Sequence, residues 1–152
     1  MGGKKVAGRK RHYLVDTDGH LLLVLVGPAD EDDRAGARWI LRARDQRWPR
    51  LQLIWGDQHY TGDLQAEAQS QYGITLEVVR KPGEQRGFVL LPRRWVVERS
   101  IAWQGRSRRL SKDYEHAAEY SESWCYLASI QLLLKRLRPR RDTEPPYARK
   151  AA

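Results

Sequence analysis

The sequence predicts an α/β fold: a mixed sheet flanked by helices and followed by a helical C-terminal segment. Three observations carry this. Strand-like and helix-like stretches alternate as ββαβαβ through the first half, and apolar residues from Trp95 onward recur at helical spacing. A length of 152 residues with 41% hydrophobic content suits one modest core rather than two. One domain is therefore expected over residues 1–138, with 139–152 as a disordered basic tail marked by Pro139, Pro145 and Pro146.

Residues 1–9 are glycine-rich and basic and are expected to stay mobile until something orders them. His12–Asp16 and His20–Val26 are β-favouring runs around Thr17-Asp18-Gly19, where Gly19 can take a positive φ, so they read as a hairpin. Gly27-Pro28 should break its second strand. Asp30–Asp33 then places carboxylates where a helix start favours them, and Trp39, Ile40 and Ala43 mark a helix over Ala35–Gln46, ended before Pro49. Leu51–Trp55 is a short apolar strand ending at Gly56-Asp57. Thr61–Tyr72 carries Leu64, Ala68 and Tyr72 at helical spacing, with Thr61 as N-cap and Gly73 as stop. Ile74–Val79 alternates as a further strand, and helices are expected over 93–109 and 111–137. The tryptophans are assigned mainly to packing.

Charge narrows the function. Lys plus Arg number 28 against 19 Asp plus Glu, a net +9, clustered at Lys4–Arg11, Arg93–Lys112 and Lys135–Arg141. A polyanion is the expected partner, nucleic acid above all. Cys125 is the sole cysteine, which excludes an intrachain disulfide and a cysteine-based zinc site. The longest apolar run, Leu21–Val26, is far short of a membrane span, so a soluble, cytoplasmic protein with no membrane partner is expected.

Two carboxylates stand out. Asp57 follows an apolar strand, where open α/β sheets hold their ligands; it either binds metal or caps the loop into the next helix. Glu98 is the only acidic residue between Arg93 and Lys112. On one continuous helix Arg94, Ala102, Gly105 and Arg109 would share its face, either as surface ion pairs or as a carboxylate set among phosphate-binding guanidinium groups. A carboxylate at a strand end and another on a basic helix form part of a two-metal phosphodiester site, whose ions sit about 4 Å apart and prefer carboxylate oxygens. Asp16, Asp18 and Asp30–Asp33 are explained as turn and helix-start residues, and the four histidines show no triad spacing.

The residues also carry a resemblance. Gly2-Gly3-Lys4-Lys5-Val6, Gly8-Arg9-Lys10-Arg11-His12 and Leu14-Val15-Asp16-Thr17 resemble a GGKKV-GRKRH-LVDT block of bacterial insertion-sequence transposases of the DDE type. Trp55-Gly56-Asp57-Gln58-His59-Tyr60-Thr61-Gly62 is similar to the segment with their second catalytic aspartate. Arg94-Trp95-Val96-Val97-Glu98-Arg99, Ala102-Trp103, Arg108-Arg109-Leu110 and Lys112-Asp113-Tyr114-Glu115 resemble the segment with the catalytic glutamate. Gln58-His59 departs from the glycines usual after the aspartate. Gly105 stands where some relatives have lysine, leaving Arg106 as the nearest cation.

The resemblance implies a ribonuclease H-like fold and Asp57 and Glu98 as catalytic metal ligands. It implies two Mg²⁺ or Mn²⁺ ions, and DNA held by Arg94, Arg99, Arg106, Arg109 and Lys112. The activity implied is metal-dependent cleavage and strand transfer at the element's ends, in a homo-oligomeric complex associated with the nucleoid. The family's first catalytic aspartate lies on a strand upstream of the GGKKV block, between the hairpin and the strand ending at Asp57. The sheet is therefore expected to lack its first, central strand, and the chain to be an incomplete catalytic domain, inactive and marginally folded until an upstream segment joins it. Asp16 is a substitute ligand from the hairpin turn, and a non-catalytic DNA-binding remnant or inhibitor is the alternative function.

Overall fold

The computed structural model describes residues 8–44, 47–79 and 92–138. Its elements are β1 (Arg9–Val15), β2 (Leu21–Pro28), α1 (Asp33–Arg44), β3 (Leu53–Gly56), a 3₁₀ turn (Gln58–Tyr60), α2 (Asp63–Tyr72) and β4 (Thr75–Val78). They continue with α3 (Pro92–Gly105), a second 3₁₀ turn (Arg108–Leu110) and α4 (Ala118–Leu137). The mixed α/β class is as the sequence predicts. The strands form two separate sheets: β1 and β2 antiparallel, and β3 and β4 parallel.

The hairpin turns where expected. Gly19 has φ +83°, and its N–H donates to the Asp16 carbonyl at 3.1 Å. Pro28 does not break β2 but ends it, opposite Arg9; the outermost rung of a ladder is where a residue without an N–H can sit. The run Leu21–Val26 is apolar throughout because both faces of β2 are covered. Val24 and Val26 pack with Leu110 and Cys125 on the α4 side, while Leu23 packs with Leu14 and Ile40 on the α1 side. A third cluster, Leu41, Leu64, Ala68, Ile74 and Leu76, joins α1 and α2 to β4. α1 thus reaches both sheets, with Ile40 turned to the hairpin and Leu41 to the parallel pair.

Several boundaries differ from the periodicity. α2 has Gly62 as N-cap without a side-chain bond; Thr61 instead donates from Oγ1 to the Gln58 carbonyl. Gly73 closes α2 in the left-handed region, φ 63°, as expected. α3 stops at Gly105, and α4 starts only at Ala118 rather than at residue 111. Residues 111–117 are held out of helix from across the molecule. Arg9 pairs with Asp113 at 3.2 Å and donates to the carbonyls of Glu115 and His116, and Arg109 pairs with Glu115 at 2.8 Å. Trp39, assigned to packing, is 56% exposed with Arg42 over its ring. The residues expected to form a tail, 139–152, lie outside the described residues, as do 1–7.

His12 is 6% exposed and faces Gly36 of α1, where a Cβ would come within 2.3 Å of its Nε2. Gly36→Ala is expected to cost about 1–3 kcal/mol by overpacking, read as a lower urea midpoint. Burial also lowers the His12 pKa below its ordinary 6.5. The unfolded chain then binds the proton more tightly, so stability is greatest above pH 6.5 and falls as pH drops toward the folded value. His12→Gln should flatten that part of the stability–pH profile.

Candidate active site

Asp57 sits just past β3 and caps the turn Gln58–Tyr60 with extended backbone, φ −84° and ψ −179°. Its Oδ1 accepts from the His59 N–H at 2.9 Å and lies 3.2 Å from His59 Nδ1. The side chain is 38% exposed, and these contacts leave Oδ2 available to a cation. Capping therefore uses one oxygen of the group. Beneath it, Tyr60 packs against Gly56, where any Cβ would come within 2.9 Å of the ring. Burial, with the Asp57 charge adding to it, pushes the Tyr60 pKa up to about 12, so this phenol stays neutral beside the carboxylate.

Glu98 is exposed on α3. A groove of about 500 Å³ opens between the two sheets. Tyr13, Leu14 and Val15 of β1 form one wall, and Leu53, Trp55 and Gly56 of β3 the other. Ile40 and Leu41 of α1 also line it, as do Val96 and Val97 of α3. Gly56 and Val97, the chain neighbours of Asp57 and Glu98, line the cavity, while Asp57 and Glu98 themselves do not. Asp16 lines it as well.

The hairpin turn is pinned to the same helix. Ser100 Oγ donates to the Gly19 carbonyl at 2.8 Å, and Arg99 donates to the Asp18 carbonyl at 2.8 Å. The Arg99 guanidinium lies over both Trp95 and Trp103, 4.5 and 4.7 Å from the ring centroids. The sequence signal for this sandwich is Trp95–Arg99–Trp103, a spacing of four that stacks side chains on one helical face. The other proposed DNA contacts divide. Arg106 and Lys112 are exposed. Arg109 leaves the Glu98 face because α3 ends before it, and it stacks over Trp124 at 5.3 Å besides pairing with Glu115. Arg94 lies in the first turn of α3.

Among the described residues Asp16, Asp18 and His20 have ligand atoms within 4.8 Å of one another. Two of its members, Asp16 and His20, are already engaged. Arg136 can only donate, so its 2.5 Å contact makes His20 Nε2 an acceptor, and Nδ1–H then donates to Asp16 at 2.8 Å. Both ring nitrogens are used. Desolvation raises the Asp16 pKa, but the His20 and Asp18 hydrogen bonds outweigh it and hold the carboxyl below its usual range.

A family model described as the transposase DDE domain matches residues 1–133. The chain belongs to that family. No curated protein and no solved structure matches it. Membership in the transposase DDE domain family implies DNA as partner, DNA transposition as the general activity, and the divalent metal ions that the family uses. No helix among the described residues is long and apolar enough to cross a membrane.

If Arg99 holds the hairpin turn as the contacts show, Arg99→Gln should lower stability in the absence of DNA. Losing two ring contacts and a carbonyl hydrogen bond should cost about 1–2 kcal/mol. A thermal melt is the check, and an unchanged Tm would leave Arg99 only an external role.

Proposed function

We propose that this transposase DDE domain takes part in metal-dependent cleavage and strand transfer at insertion-sequence ends. Asp57 and Glu98 are its second and third acidic ligands, and an upstream segment supplies the first. The observation that carries this reading is the groove: Gly56 and Val97, the residues next to the two carboxylates, line it, and among the described residues the two sheets beside it share no ladder. Neighbouring strands in a sheet lie about 4.8 Å apart, and a strand edge left without a partner is the ordinary acceptor of another strand. An upstream strand seated between β1 and β3 would cover their apolar walls and bring a carboxylate beside Asp57 and Glu98. Until it does, those walls are open, which supports the expectation that the isolated chain is inactive and only marginally stable.

The donor set fits a hard divalent cation. Asp57 Oδ2 is available, Glu98 is exposed, and both offer the oxygen ligands that Mg²⁺ or Mn²⁺ prefers. Bound there, two such ions would supply activation of the attacking oxygen and charge stabilisation at the leaving oxygen. This chain's own residues hold the carboxylates in place, Asp57 through its turn and Glu98 through a helix fastened to the hairpin. Exposed Arg106 and Lys112, with Arg94, are the groups assigned to the DNA backbone, while Arg99 and Arg109 contribute their charge from fixed positions.

The test joins the chain to its upstream segment and assays cleavage of element ends with Mg²⁺. Asp57→Ala and Glu98→Ala should each abolish activity, a loss of at least a hundredfold, while DNA binding persists and weakens with salt. Metal-dependent cleavage by the 152-residue chain alone would overturn the role of the upstream segment. DNA binding by the joined protein without any cleavage would favour the remnant or inhibitor.

A further inference from the structure

The hairpin turn, α3 and α4 meet around a cavity of about 20 Å³, whose polar lining comes from Tyr13, His20, Ser100, Gln104 and Ser129. Gln104 is buried, 8% exposed. Its Nε2 group donates to the Cys125 carbonyl at 3.1 Å and to Ser129 Oγ at 2.6 Å, which fastens α3 to α4. A carbonyl can only accept, so the amide cannot be turned over, and its oxygen is committed to the other side. Gln104 Oε1 is buried there with no hydrogen-bond partner among the described residues. An amide oxygen left unpaired in the interior is costly, so a donor is required.

The polar neighbours do not supply one. Both His20 ring nitrogens are engaged, by Asp16 and Arg136, and the Ser100 hydroxyl donates to the Gly19 and Val96 carbonyls. Tyr13 Oη lies against Cys125 Sγ at 3.6 Å. Ser129 differs from them. Its oxygen accepts from Gln104, and among the described residues no acceptor takes its hydroxyl hydrogen. The geometry points to one water molecule bound in this cavity. A single water needs roughly 10–15 Å³ of such space, so one fits and a larger ligand does not. It accepts from the Ser129 hydroxyl and donates to Gln104 Oε1. A ring closes: Gln104 Nε2 donates to Ser129, Ser129 to the water, and the water back to the same amide. Both ends of the amide are then satisfied, and each bond polarises the next. The water is part of the joint that holds α3, the helix carrying Glu98, to α4.

A crystal structure of the whole chain should show a solvent peak within about 3 Å of both Gln104 Oε1 and Ser129 Oγ. In solution, magnetic relaxation dispersion of the water oxygen counts buried waters. Gln104→Met, with the same reach and no amide, should lower that count by one molecule and leave the circular dichroism spectrum unchanged. Ser129→Ala keeps the amide but removes the hydroxyl donor, so the water should exchange about tenfold faster, the equivalent of one hydrogen bond. If Gln104→Met fails to fold, the wild-type crystal and Ser129→Ala decide. A crystal without solvent at Gln104 Oε1, a count that Gln104→Met leaves unchanged, or an exchange rate that Ser129→Ala leaves unchanged would each overturn the proposal.

Discussion

Among the described residues the two sheets share no ladder, and α1 packs against both. Ile40 goes to the hairpin and Leu41, one residue on, to the parallel pair, because successive residues of a helix point about 100° apart. Ile54 of β3 belongs to both clusters and is the strand residue at the junction. No ladder joins the two pairs among the described residues, and side-chain packing holds them on either side of the space between them. That space is the groove, lined by Gly56 and Val97, the chain neighbours of Asp57 and Glu98.

The other end of the groove is set by polar contacts. Gly19 makes a turn tight enough for Ser100 to reach its carbonyl; a Cβ there would come within 2.7 Å of Ser100 Oγ. Arg99 closes the same contact and is itself fixed between two indoles. From the far side Arg136 of α4 reaches His20, and through it Asp16. Two helices from the C-terminal half therefore grip one turn near the N-terminus. Glu98, next to Arg99, takes its place from that grip.

The sequence made the element order and the hairpin plain because they depend on local signals: alternation, Gly19 in its turn, Gly73 at a helix end. It marked Asp57 by a strand followed by Gly-Asp, and Glu98 by its isolation among cations. What periodicity missed was decided at long range. The apolar spacing of Tyr114 and Ala117 continues the α4 pattern, but Arg9, more than a hundred residues away, binds the carbonyls that a helix would have used. The end of α3 at Gly105 has a local cause in glycine's poor helix propensity, yet its consequence, Arg109 leaving the Glu98 face for Glu115 and Trp124, depended on the fold. The Asp16–His20–Arg136 chain left no sequence signal, since its third member is distant.

Net charge is also less informative than it first appears. A charge of +9 suggests a broad phosphate-binding surface, yet many cations are engaged inside the fold. Arg9 and Arg11 bond residues 110–116, Lys10 pairs with Asp33 at 2.8 Å, Arg38 pairs with Glu67 at 2.7 Å, and Arg99, Arg109 and Arg136 are stacked on aromatic rings. A guanidinium that donates to a carbonyl keeps its charge but gives up directional donors, so it attracts DNA without reading its geometry. The field of the domain and its contact surface are then separate quantities. The first is set by composition; the second depends on which cations the fold leaves exposed, as it does Arg106 and Lys112.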